Sequence, residues 1–364
     1  MRALLFGLAL LGGCRPNGEP VEIPGLCSAA DPPGPSKKQS LRLAAVGDII
    51  FGRYKRDAAG EVAYYRVAKS DPFAEVAPVL RAADVAFANL ETPVVDEPAE
   101  LFTYANRTFR AEPSDARALA AAGFGVVSIA NNHIFNFGAR GAPITRQNLV
   151  AAGLQPAGAG ANAEEAQRPA IVERGGLTVS LIALTVHDNG KPSTRAGALA
   201  YVPFEELAET AATAIAATRA RDQPDFVVVS VHWGIEYAAH PDDTQRAAAH
   251  RLVDAGADVV LGHHPHVVQD IERYNGAVIA YSLGNFLFDQ RILTRRQSLV
   301  LEIGLERDGE LRRVSTVTAH PVLSGHDDHI PRLAGLDEVA WRHRLAELAA
   351  GVSLSDPPIL VAER

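Results

Sequence analysis

Cysteine is nearly absent. The 364-residue chain carries Cys14 and Cys27 and no other thiol, so no disulfide framework can brace it and stability has to come from a packed core. Long basic runs are missing too. Arg295-Arg296 and Arg312-Arg313 are isolated pairs in a chain of formal charge −8, which argues against a nucleic-acid partner, because neutralising phosphates needs clustered Lys and Arg. No apolar stretch has the length of a membrane span, and no internal repeat stands out. What remains is 47% apolar residues, ordinary for a globular chain with a sizeable core.

The N-terminus stands apart from that core. Met1-Arg2 followed by apolar Ala3 to Leu11 has the charge and length of a secretory signal. Leu11-Gly12-Gly13-Cys14 closes it like the lipobox of bacterial lipoproteins. The expectation is a signal over 1–14, an acylated Cys14, and a protein held on the outer side of a bacterial membrane by its lipid. Residues 15–40 carry Pro16, Pro20, Pro24, Pro32, Pro33 and Pro35 among Gly and polar residues, a composition that suits a disordered tether. Folding is expected to begin near Leu41, with a main domain over 41–325 and a C-terminal extension over 326–364.

Within the main domain, short apolar runs repeatedly stop on a residue that can bind a metal or a phosphate. They are Leu41–Gly47 before Asp48, Asp84–Leu90 before Glu91, Val126–Asn131 before Asn132 and His133, Phe226–Val231 before His232, Asp258–Gly262 before His263, His264 and His266, and Ala277–Gly284 before Asn285. Runs of this length and composition are buried strands, and ligands collect beyond the carboxyl ends of strands in α/β sheets. Helical patterns alternate with them: Asp71 to Arg81, Ser114 to Ala122, Phe204 to Arg221, Asp242 to Ala255 and Leu333 to Ala350. Two hairpins are expected, Ala170–Val172 with Thr178–Thr185 and Ser298–Gly304 with Leu311–Thr318. The alternation predicts an α/β fold with mixed sheets.

The densest chemistry is Gly262-His263-His264-Pro265-His266. Pro265 disfavours helix at the residue before it, and alternate positions of an extended chain face one side, so His264 and His266 are expected to share an ion, Zn, Mn or Fe. His263 is expected just behind them. Gly47 is expected to let the backbone turn so that Asp48 faces the rim. Glu91 sits at a strand tip before Pro93, Asn132 offers a neutral amide oxygen, and His232 a further imidazole. His133 can protonate a leaving group, and Arg53 can take an anionic substrate with its planar fork. Trp233, Glu236 and Tyr237 are expected to wall the pocket. The other histidines, His187 among them, lack partners at informative spacing and are assigned to surface or structural places.

In order along the chain, Gly47-Asp48, Asn89-Leu90-Glu91, Phe109-Arg110-Ala111, Asn131-Asn132-His133, His232-Trp233-Gly234-Ile235-Glu236-Tyr237, Gly262-His263-His264-Pro265-His266-Val267 and Tyr281-Ser282-Leu283-Gly284-Asn285-Phe286 resemble the CapA family of capsule and poly-γ-glutamate synthesis proteins. The resemblance covers Leu41 to Asp289. It implies a calcineurin-like metallophosphoesterase fold, a four-layer α/β/β/α sandwich of two mixed sheets. It also implies a shell for one or two divalent ions made of Asp48, Glu91, Asn132, His232, His264 and His266, with His133 as the acid. From the residues themselves, Arg53 is the expected anion-binding group, Arg107 and Arg110 are weaker candidates, and Asn285, in a small polar turn near the same edge, is a further substrate-binding candidate. Departures from the superfamily pattern are Ile50 where a histidine ligand is usual and Glu91 in place of a bridging Asp; within the CapA pattern an Asp commonly follows the Asn-Asn-His segment by three residues, where this chain has Asn136.

Two functions follow as expectations. One is a metal-dependent, phosphoesterase-like hydrolase acting in synthesis or export of an anionic polymer, beside a membrane synthase complex. The other is a non-catalytic subunit that keeps the fold and binds polymer or partner proteins.

Overall fold

A computed structural model describes residues 38–68, 71–96, 108–190, 197–335, 338–349 and 353–354. Cys14, Cys27, the signal, the tether up to residue 37 and Arg107 lie outside the described residues.

The first sheet runs in the order Pro331–Leu333, Leu311–Ser324, Gln297–Asp308, Gln39–Ile49, Val85–Leu90, Phe124–Ser128 and Gln155–Ala157. From Gln39–Ile49 to Gln155–Ala157 the neighbours are parallel, while Gln297–Asp308 and the strands beyond it are antiparallel. The second sheet has the order Ile271–Tyr274, Ala277–Ala280, Val259–His263, Phe226–His232, Leu177–Thr185 and Ala170–Arg174, parallel through its four central strands.

Alternation explains how the sheets stack. In Phe226–His232, Phe226 and Val228 join Leu43, Phe87, Leu181 and Leu261 in the core between the sheets. Val227, Val229 and Val231 point the other way, onto Leu207, Ala211 and Ile215 of helix Leu207–Asp222 and Leu252 of helix Asp243–Asp254. A strand buried on both faces reads as a near-continuous apolar run, here interrupted by Ser230 and closed by His232, and each buried apolar side chain contributes roughly 1.5–3 kcal/mol. Helices Ala77–Ala82, Pro113–Ala122 and Gly141–Ala151 cover the outer face of the first sheet, with Leu80, Leu119 and Leu149 inward. The result is the expected α/β/β/α sandwich.

Local signals set several boundaries. Helix Pro113–Ala122 opens with a capping box between Glu112 and Asp115 and closes on Gly123 at φ 108, a left-handed backbone that glycine adopts at no cost. Asp242 caps Asp243–Asp254 by accepting from the Gln245 backbone N–H at 2.8 Å.

Other expectations need correction. The helix expected from Asp71 begins at Ala77, because Pro78 fits only in a first turn. Leu333 ends a strand paired to Val322 rather than opening a helix; the helix there is Val339–Leu348, and its Trp341, Leu345 and Leu348 pack into the main core. Gly47 marks no turn, since the strand continues to Ile49. Its hydrogen is required by a close approach, because a Cβ would sit 1.9 Å from the Gly284 carbonyl oxygen.

Candidate metal centre

The carboxyl ends of parallel strands from both sheets meet at one rim. Asp48 comes from strand Gln39–Ile49, where the register slips beside Asn285, and Glu91 directly follows Val85–Leu90. Asn132 and His133 follow Phe124–Ser128. His232 and His263 end adjacent strands and are paired in register, and His264 and His266 lie just beyond.

The Asp48 carboxylate is fully buried and gathers donors from every side. Oδ1 accepts from Asn89 Nδ2 at 2.9 Å and faces His263 Nδ1 at 3.4 Å. Oδ2 accepts from the His264 backbone N–H at 3.2 Å and lies 3.2 Å from His266 Nδ1. Burial alone would raise its pKa, yet the contacts and charge of His263 and His266 hold it well below the usual range.

Glu91 is the contrasting carboxylate. Burial and then the Asp48 charge push its pKa well up. Among the described residues its buried Oε2 has no hydrogen-bond partner, and Oε1 has Asn89 Nδ2 at 3.5 Å and His232 Nδ1 at 3.6 Å.

His232 Nε2 lies 3.2 Å from Asn132 Oδ1 and 3.1 Å from His264 Nδ1. Burial, then neighbouring imidazoles, keep both rings neutral: His232 falls well below its ordinary value and His264 to about 2. Neutral imidazoles keep the lone pairs that a metal needs. His266 differs, because the Glu91 and Asp48 carboxylates outweigh burial and push it up to about 9. Its Nδ1 serves Asp48 and Asn285 Oδ1, the latter at 2.9 Å, which leaves Nε2 as the nitrogen able to bind an ion.

Among the described residues, the ligand atoms of Asp48, Glu91 and His232 lie within 4.8 Å of one another. Asn132 and His264 adjoin them through His232, and His266 through Asp48. An unpartnered carboxylate oxygen, a second buried carboxylate and neutral imidazoles form a donor set that fits a divalent cation, since leaving such groups unpaired is costly. Ile50, where the superfamily usually has a ligand, is fully buried, and its backbone N–H bonds to the Leu287 carbonyl at 2.8 Å.

The His264–His266 geometry departs from the expected extended arrangement. Both residues have left-handed backbones, φ 98 and 58, strain of about 1–3 kcal/mol each that characteristically collects at functional sites. That twist, rather than strand alternation, brings the rings to a centroid separation of 5.9 Å.

His133 borders the cluster. Asn136 Oδ1 accepts from the Phe109 backbone N–H at 2.7 Å, which fixes that atom as an oxygen. His133 Nδ1, 3.2 Å from it, must therefore carry a proton, and proton exchange falls to Nε2. The ring stacks on Phe109 at 3.9 Å. An amide at position 136 orients the imidazole as an Asp would, without the charge.

The substrate-binding expectations fare differently. Arg53 Nε bonds to Asp289 Oδ2 at 2.9 Å and Nη2 to Oδ1, so its fork is taken within the protein. Arg110 is buried against the Tyr64 ring, with the Val95 carbonyl and Glu112 as its partners. Asn285 holds His266: Oδ1 faces its Nδ1, and Nδ2 donates to the carbonyls of His266 and Arg295. These three are placed as structural or positioning groups.

Trp233 is fully buried, stacked on Tyr281, and forms no pocket wall. Tyr237 does stand near the rim, 6.0 Å from the His266 ring, with Arg295 over its face. His187, expected away from the site, has its ring 4.1 Å from that of His264. Its place after Thr185, the end of another parallel strand, was the signal available.

The family described as "Bacterial capsule synthesis protein PGA_cap" matches residues 42–290, nearly the same stretch as the motifs. "Capsule biosynthesis protein CapA" of Bacillus anthracis is 32% identical over 282 residues, 75% of this chain and 66% of that protein. The chain thus spans just under two thirds of that relative's length. "PGA biosynthesis protein CapA" of Bacillus subtilis is 32% identical over 77% of this chain and 72% of its own. A "probable polyglutamine synthesis accessory protein" of Mycobacterium tuberculosis is 33% identical over 70% of this chain and 71% of its own. On the family match and these identities, the chain belongs to the PGA_cap family of bacterial capsule synthesis proteins.

Proposed function

We propose that this protein is an accessory factor in the synthesis or export of a capsule-type anionic polymer such as poly-γ-glutamate, and that its rim is a metal-dependent hydrolase site. The relatives' names support the first part. The second is carried by one observation: Asp48, Glu91 and His232, from three strands of two sheets, bring buried ligand atoms within 4.8 Å, with one Glu91 oxygen unpartnered. Asp48, Glu91, Asn132, His232, His264 and His266 would hold at least one ion, Mn, Zn or Fe. That ion would supply Lewis acidity, acidifying water and drawing charge onto a substrate oxygen so that the phosphorus beside it is open to attack. His133 delivers a proton from Nε2 to the leaving oxygen, with Asn136 holding the opposite nitrogen. Phe109 keeps the ring plane fixed.

The test uses the purified chain loaded with Mn, Zn or Fe, its metal content, and its activity on bis-p-nitrophenyl phosphate and p-nitrophenyl phosphate. Bound metal with turnover that is lost in His264→Ala supports the hydrolase. The buried Ile50 favours a second reading, a polymer-binding subunit without catalysis; a chain that takes up no metal and turns over neither ester would favour it.

In this reading the protein sits on the outer side of a membrane through Cys14, alongside a synthase complex. Cys14→Ser is expected to move the protein from the membrane to the soluble fraction. Unchanged fractionation would remove the lipid anchor from the account.

A further inference from the structure

The loop after strand Leu177–Thr185 leaves the second sheet and reaches residues of the first without supplying a ligand. Asn189 Nδ2 donates to the Asn132 backbone carbonyl at 2.9 Å, and Asn132 Nδ2 donates to Asn189 Oδ1 at 3.3 Å. This reciprocal pair decides how the Asn132 amide points: nitrogen toward Asn189, oxygen toward His232 Nε2. Asn189 has φ 52, a left-handed conformation that asparagine tolerates better than most residues. Two positions earlier, His187 lies against His264 with the ring planes 34° apart. Its Nε2 is 3.1 Å from the Gly234 carbonyl, which can only accept, so that nitrogen carries the proton and ties the ring from its far side. Thr185 Oγ1 anchors the turn, accepting from the His187 N–H at 3.0 Å and donating to its carbonyl at 2.9 Å.

We infer that this loop is a positioning clamp for the metal centre. Asn189 holds the Asn132 amide with its oxygen toward the ion, and His187 fixes the ring plane of His264. An untethered amide would present its N–H groups to the cation in half of its orientations, and an untethered imidazole would have to be ordered on binding. The clamp removes both costs before the ion arrives. It rests on the metal-binding reading above.

Co2+ alone is the probe, added to the full chain and followed by calorimetric titration and by its visible absorption bands. Asn189→Gly keeps the left-handed backbone and removes both side-chain bonds; it is expected to weaken Co2+ binding about 10- to 100-fold, the usual effect of losing a group that orients a ligand, and to shift the bands. Asn189→Asp retains an acceptor for Asn132 Nδ2 and is expected to bind close to wild type. The metal-free melting temperature of both should match wild type, which separates the effect from general unfolding. If wild type binds Co2+ and Asn189→Gly shows the same affinity and spectrum, the clamp is overturned while the metal site stands. If wild type binds no Co2+, the metal-binding reading fails and the clamp with it.

Discussion

Asp48→Ala is expected to lower the stability of the metal-free chain by about 3–5 kcal/mol, the usual cost of removing one partner from a buried charge pair. Asp48 is fully buried, accepts from Asn89 Nδ2 and the His264 N–H, and lies 3.2 Å from His266 Nδ1 and 3.4 Å from His263 Nδ1. Alanine offers none of them an acceptor, and the imidazolium that Asp48 helps to hold at His266 loses its nearest carboxylate. The same residue ties strand Gln39–Ile49 to the loop beyond Val259–His263, so its loss loosens the joint between the sheets as well as the site. Urea denaturation after chelation measures the effect. A loss below about 1 kcal/mol, the range of an exposed ion pair, would contradict this picture of the carboxylate.

Glu91→Gln should behave in the opposite way, although Glu91 is equally buried and Asn89 contacts both carboxylates. In the metal-free protein the Glu91 carboxylate is a liability: burial and the Asp48 charge both disfavour its ionised form, and its Oε2 has no partner. A neutral amide of the same shape removes that repulsion. The chelated variant is therefore expected to melt at or above wild type. Metal tells the two apart. Saturating wild type at a thousandfold excess over Kd should add about 4 kcal/mol of stability, and the variant should gain much less at the same metal concentration, because Asp48 is left as the one carboxylate among the ligands to offset the cation. Thermal melts with and without added metal provide the comparison. A chelated Glu91→Gln melting far below wild type, or a variant that keeps the full metal-induced rise, would show that Glu91 serves the fold and not an ion.

The two carboxylates also show what could be read from the chain and what could not. The strand ends were legible, because runs of Val, Ile, Leu and Ala that close on Asp48, Glu91, His232 and His263 have the length and composition of buried strands. The convergence of those ends followed from sheet topology. The backbone of His264-Pro265-His266 was not legible: left-handed φ at two histidines is a tertiary outcome, imposed by the Asp48 contact to the His264 N–H and the Asn285 contact to His266.

Partnerships that cross the sequence were equally hidden. Arg53 looked free to meet an anion because Asp289, which takes its fork, lies 236 positions away. Asn285 looked like a substrate contact because its bonds to His266 and Arg295 depend on how two loops pack. His187 and Asn189 lacked a motif altogether, since what gives them meaning is the distance from their loop to His264 and Asn132. At the helices, boundaries followed local chemistry where a cap or a glycine was present, as at Glu112, Gly123 and Asp242. They were missed where proline or tertiary pairing decided, as at Pro78 and Leu333.

Anomalous diffraction from crystals of the Mn- or Zn-loaded protein shows where the ion sits. An anomalous peak is expected at the rim, about 2.0–2.3 Å from donor atoms of Asp48, Glu91 and His232, with Asn132, His264 and His266 beside it. A loaded crystal whose only peaks lie elsewhere on the protein, with these side chains bonded solely to one another, would contradict the metal-binding reading.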